Sequence, residues 1–143
     1  MILNMKRDQN QIEIYNMKRL IINTQKSPDP IGPYNQAILS ENTLYISGQI
    51  ALDPKTMKLK NDSIEEETNQ VMINLKNILN ECGMDFSNVV KSSIFLKSMD
   101  FFSEVNKVYG NFFIKGNEPA RETLAVKKLP MDVNVEISMI AIR

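Results

Sequence analysis

From Ser63 to Gly83 the chain carries one long amphipathic helix, and this segment limits the fold more than any other. Ile64, Thr68, Val71, Met72, Leu75, Ile78, Leu79 and Cys82 fall on a single stripe at helical spacing. Ser63 with Glu66 reads as a capping box, and Glu65, Glu66 and Glu67 sit at the positive end of the helix dipole. Gly83 supplies the stop. Such a stripe needs a second layer to cover it, and the rest of the sequence offers strands. These read as Lys18–Asn23, Ala37–Leu39, Leu44–Gly48, Val89–Lys97, Glu122–Lys127 and Val133–Ile142. A second helix begins near Asp100. Phe101, Val105, Val108 and Phe112 form one row on it, with Phe102, Tyr109 and Phe113 beside them, and Gly116 ends it. The order β-β-β-α-β-α-β-β predicts an α+β domain with both helices on one face of a sheet.

A length of 143 residues suits one domain. Residues 17–143 carry all the periodic segments, while residues 1–16 are polar and aperiodic and read as a disordered N-terminal extension. Met17, directly before the first strand, is a second candidate start, and both readings stay open. Residues 24–36 hold Pro28, Pro30, Gly32 and Pro33, which makes a fixed loop. The composition, 43% apolar and 24% charged, is that of a soluble globular protein. No run approaches the ~18 apolar residues of a membrane span. Seventeen basic residues balance seventeen acidic ones, which speaks against a nucleic-acid partner. With one cysteine and no secretory signal, a cytoplasmic location is expected.

Two shortages narrow the chemistry. There is no histidine, which removes His triads, His general bases and His-ligated metals, and a lone cysteine removes thiolate zinc sites. Catalysis here has to run on carboxylates, Arg, Lys, Tyr, hydroxyls, backbone groups and water. Alternation along the last two strands places candidates for that work. If Leu124 and Val126 face the helices, Arg121 and Thr123 project from the other face. If Val135 and Ile137 face the helices, Glu136 joins them there, and Ser47 follows from Leu44 and Ile46. A sheet face without helices is also a natural surface for another subunit. From pattern alone, Arg121 and Glu136 are as readily solvated surface charges as site residues. Cys82 and the Phe-rich second helix read as core.

Several stretches, in this order and spacing, resemble the RidA/YjgF family of reactive-intermediate deaminases. They are Pro30-Ile31-Gly32-Pro33-Tyr34-Asn35-Gln36-Ala37, Leu44-Tyr45-Ile46-Ser47-Gly48-Gln49-Ile50 and Asp53-Pro54-Lys55-Thr56. Further along come Val89-Val90-Lys91, Phe102 through Asn106 to Tyr109, Phe112-Phe113 and Pro119-Ala120-Arg121. Leu129-Pro130-Met131-Asp132-Val133 and Val135-Glu136-Ile137 close the chain. The resemblance implies a chorismate-mutase-like fold and a homotrimer with ligand clefts between subunits. It implies hydrolysis of 2-imino or enamine acids, such as 2-aminoacrylate, to 2-oxo acids and ammonia, with no cofactor and no metal. By the same resemblance Arg121 binds the substrate carboxylate and Glu136 orients water and moves protons. Tyr34, Ser47, Gly48 and Asn106 line the pocket, with the Thr123 backbone near the imine. Two positions depart from the family pattern. Thr123 stands where many members have Cys, and Glu122 where a small residue is usual. Competing readings are a non-catalytic 2-oxo-acid-binding module, a chaperone-like role, and the ribonuclease or translation-inhibitor function some relatives are credited with.

Overall fold

Six strands, β1 (Arg19–Ile22), β2 (Ala37–Ser40), β3 (Thr43–Gln49), β4 (Val89–Leu96), β5 (Ala120–Ala125) and β6 (Val135–Ile142), make one mixed sheet in the spatial order β1-β2-β3-β6-β4-β5. The computed structural model describes residues 18–143, and the reading of residues 1–16 as an extension lies outside them. Two helices complete the fold, α1 (Ile64–Glu81) between β3 and β4 and α2 (Phe102–Gly110) between β4 and β5. Short 3-10 turns precede β4, α2 and β6. Two helices and a sheet give the α+β class expected from the sequence. Among the described residues no helix is long and apolar enough to cross a membrane.

The stripe on α1 is the centre of the core. Val71, Met72, Leu75, Ile78 and Leu79 are fully buried against Ile94 and Leu96 of β4 and Ile137 and Met139 of β6. Each such side chain contributes about 1.5–3 kcal/mol over its exposed state. Cys82 joins this core, as its place on the stripe predicts. Ser63 caps α1 by accepting from the Glu66 amide, while the Glu66 carboxylate accepts from the Asp62 amide rather than closing back on Ser63. The second helix is shorter than its apolar row suggests. It ends at Gly110 rather than Gly116, because Gly110 and Asn111 are poor helix formers. Phe112 and Phe113 turn back instead onto Phe86, edge to face at 5.4 and 5.3 Å.

The alternation reading fails at β5, and the reason is topological. β5 is not a neighbour of β6, because β4 lies between them. β5 runs parallel to β4, with Ser92 opposite Arg121, Ile94 opposite Thr123 and Phe95 opposite Leu124. A parallel pair needs a crossover, and α2 provides it. Ser92 and Ile94 are buried on the helix side, so Arg121 and Thr123 belong to that side too. Leu124 falls on the helix-free face, where it is 52% exposed. Glu122 points away from Arg121 and pairs with Lys91 and Ser93 on that face.

The proline-rich segment is anchored at its base by buried polar side chains. The Gln36 amide accepts from the Thr24 N–H and donates to the carbonyls of Thr24, Ser27 and Pro28. Ser27 donates to the Asn74 carbonyl of α1, and the Asn74 amide donates to the carbonyls of Ile50 and Leu52. The loop, α1 and the segment after β3 are thereby locked together, with their inward-facing backbone groups satisfied.

Candidate active site

The candidate residues form two groups, one on each face of the sheet. On the helix-free face, a cleft of about 440 Å³ is lined by Tyr34, Ser47, Gly48 and Glu136, over an apolar floor that includes Ile50 and Leu52. Tyr34 comes from the anchored loop, where its hydroxyl accepts from the Ile31 amide at 3.2 Å. Ser47 donates to the Asn35 carbonyl at 2.6 Å, which ties β3 to the same loop.

Glu136 leaves β6 opposite Phe95 and enters this cleft. Its half-buried carboxyl is held above the ordinary carboxylate range by desolvation. The space it occupies is created by an irregularity in β3. Ile46 pairs with Met139 and Gln49 with Ile137, so Ser47 and Gly48 together face the single residue Ser138. A Cβ on Gly48 would lie 2.0 Å from Glu136 Oε1. Only glycine leaves room for the carboxylate where it stands. Because the clash is with the mobile end of a side chain, Gly48→Ala should fold normally yet expel the carboxylate from its position. If Glu136 works on a substrate, turnover should fall by about 10²-fold, the usual cost of a displacement near 1 Å, with a melting temperature no lower than that of wild type. Wild-type turnover in this variant would show that the position of Glu136 is unimportant.

On the helix side, Arg121 is held by three groups from α2. Its Nη1 donates to Asn106 Oδ1 at 2.7 Å. Its guanidinium carbon lies 5.8 Å from the Phe102 ring centroid and 5.2 Å from that of Tyr109. Residues 102, 106 and 109 share one helical face, so this cradle is a single row of α2. In the sequence the aromatic members of this row read only as core, while the family resemblance already set Asn106 at the pocket. Tyr109 is fixed in turn by donating to Ser92 Oγ at 2.9 Å, and burial pushes its hydroxyl pKa up. Asn106, Tyr109, Glu118 and Arg121 line a second, shallower pocket of about 300 Å³. Thr123 follows on the same face, and its buried Oγ1 has no hydrogen-bond partner among the described residues. The structure therefore brings Tyr34, Ser47, Gly48 and Glu136 together, and separately Arg121 and Asn106 with Thr123 beside them. One chain does not bring Arg121 to Glu136, contrary to the alternation reading. Among the described residues no cluster of His, Cys, Asp or Glu is arranged to hold a metal ion.

Known proteins share this arrangement of sequence and fold. The Endoribonuclease L-PSP family matches residues 24–143. The human 2-iminobutanoate/2-iminopropanoate deaminase is 42% identical over 125 residues, covering 87% of this chain and 90% of the human protein. A RutC family protein of Synechocystis is 45% identical over 127 residues, covering 88% and 98%. The crystal structure of RidA from an Antarctic Psychrobacter superposes with a TM-score of 0.83 at 35% identity, covering 87% and 99%. That of E. coli TdcF with bound serine gives 0.82 at 32%, covering 87% and 98%. By sequence and by fold, the chain belongs to the Endoribonuclease L-PSP family, which is the RidA/YjgF family of its motifs.

Proposed function

We propose that the protein is a 2-imino-acid deaminase whose site is completed between copies of the chain, with Arg121 from one and Glu136 from another. The observation that carries this is the pairing of two prepared half-sites on opposite faces. One is a guanidinium stacked on α2 and aimed by Asn106, and the other is a desolvated carboxyl in a cleft that Gly48 keeps open. The helix-free face around the second half is rich in uncovered apolar side chains, including Ile21, Tyr45 and Leu124. Such a face suits burial by a neighbouring copy, and a homotrimer closes the contact by symmetry.

The chemistry follows from the parts. The planar guanidinium grips the substrate carboxylate with two parallel hydrogen bonds. Water about 3 Å from the imine carbon attacks as the Glu136 carboxylate takes its proton. The proton passes to nitrogen, giving a carbinolamine; the new hydroxyl then gives up its own proton, which Glu136 carries to the same nitrogen as the C–N bond breaks, and a 2-oxo acid and ammonia leave. The name of the human relative supports this substrate class, as does the small amino acid bound to TdcF. No step calls for a cofactor. Asp29 and Glu136 both line the larger cleft, which is unfavourable for a phosphate backbone and weighs against a ribonuclease.

The test is to generate 2-aminoacrylate with a serine dehydratase and follow pyruvate with and without the protein, while light scattering reports its mass. Faster pyruvate release from an oligomer is expected. No acceleration, together with tight 2-oxobutyrate binding, would make the protein a binding module. Full turnover by a monomer would remove the shared site.

A further inference from the structure

Glu67, on the first turn of α1, is 0% exposed, although acidic side chains are almost never fully buried without partners. Its Oε1 accepts from the backbone N–H groups of both Asn134 and Val135, at 2.7 and 3.1 Å, and its Oε2 accepts from Asn134 Nδ2 at 2.8 Å. These are the two residues before Glu136. The location matters because β6 is weakly paired at this end. Its pairing with β3 stops at Ile137 opposite Gln49, so Val135 and Glu136 are paired on the β4 side alone. A side chain from α1 thus supplies hydrogen bonds that a neighbouring strand would otherwise make. On the other side the Lys97 amide donates to the Asn134 carbonyl. The backbone entering Glu136 is thus clamped from both sides.

We propose that Glu67 is a positioning residue for Glu136, acting through the Asn134–Val135 backbone to hold the carboxylate in the pocket beside Gly48. This rests on the deaminase reading for its effect on turnover, but not for its effect on Glu136 itself. Among the residues lining the cleft with Glu136 are Asp29 and Tyr34 from the loop, Ser47 and Gly48 from β3 and Pro130 before β6, and Phe95 lies opposite it on β4. Of these only Asp29 and Tyr34 have ionisable side chains, and none lies on α1. Burial is what raises the Glu136 carboxyl, and the Glu67 contacts run to the Asn134 and Val135 backbone, so a change at Glu67 reaches Glu136 through that backbone.

The experiment compares Glu67→Ala and Glu67→Gln with wild type at a temperature where all are folded. It measures turnover, 2-oxobutyrate affinity and the titration of Glu136 by carbon-13 NMR of its carboxyl. In Glu67→Ala, turnover should fall about tenfold or more, while affinity for the 2-oxo acid, set mainly by Arg121, stays within about twofold. The Glu136 titration should move down toward ordinary carboxylates as the side chain gains water. Gln keeps an oxygen for both backbone amides, and a flipped Asn134 amide can meet its nitrogen, so Glu67→Gln should restore both readouts. An unmoved Glu136 titration in Glu67→Ala, or equal impairment of the Gln variant, overturns the proposal. If wild type fails to accelerate pyruvate release, the deaminase reading falls and the titration still decides the role of Glu67. Should Glu67→Ala not fold, Glu67→Asp, one methylene shorter, carries the same test.

Discussion

Replacing Arg121 with alanine should lower kcat/KM for a 2-imino acid by about 10²-fold or more and leave the fold standing. Two charge-assisted hydrogen bonds to a carboxylate are worth about 3 kcal/mol or more together, which is that factor. The loss should appear equally in the affinity for a 2-oxo acid, because the product carries the same carboxylate. Folding should suffer little. Arg121 lies on the edge strand β5 and is half-buried, and its contacts are one hydrogen bond to Asn106 and two ring faces. Their loss costs about 1–2 kcal/mol against the 5–15 kcal/mol of a typical domain. Arg121→Lys should keep some ring contact and fail to reproduce the two-pronged grip, giving an intermediate loss. The measurement is steady-state kinetics alongside thermal melting. A folded alanine variant with near-normal kcat/KM removes Arg121 as the anchor and the functional assignment with it.

Glu136→Gln should have opposite effects on activity and stability. Removing a proton acceptor from a water-activating position costs on the order of 10²–10⁴-fold in turnover. The stability effect follows from the raised pKa of Glu136, which comes from desolvation. In the pH range between its unfolded and folded values, the native state holds more proton than the unfolded chain. Stability linked to this group is thus fully present below the unfolded value and is lost as pH rises through the folded one. Wild type should accordingly be less stable than Glu136→Gln at neutral pH, with the difference closing in acid. The same shift should place the acid limb of the wild-type activity profile above the ordinary carboxylate range, because the proposed role of Glu136 needs its ionised form. Denaturant melts across pH, set beside the pH–rate profile, check both signs. An active Glu136→Gln variant, or one less stable than wild type at neutral pH, contradicts the account.

Much of this architecture was legible from the residues. The α1 stripe, its Ser63 cap and the β6 alternation that sends Glu136 away from the helices were all readable, because each depends on one element against one core. What failed was β5. Leu124 and Val126 resemble a core face, and nothing within the strand reports that it is an edge whose apolar side chain faces away from the helices. The available signal was the β-α-β order around α2, which implies a parallel neighbour for β4 and so takes β5 away from β6. The Glu67 clamp was illegible for a different reason. In sequence it is one of three acids on a first helical turn, and only the tertiary fold reveals that it is fully buried. Tyr109 and Phe102 do belong to the core as read, and only the fold reveals that the same rings also face the Arg121 guanidinium.

The separation of Arg121 and Glu136 onto opposite faces has a consequence for regulation. If the two halves meet only between chains, a subunit that drifts from its neighbours is intact in structure but has no working site. Dilution then acts as a reversible inhibitor, and expression level becomes a setting for activity per molecule as well as for amount.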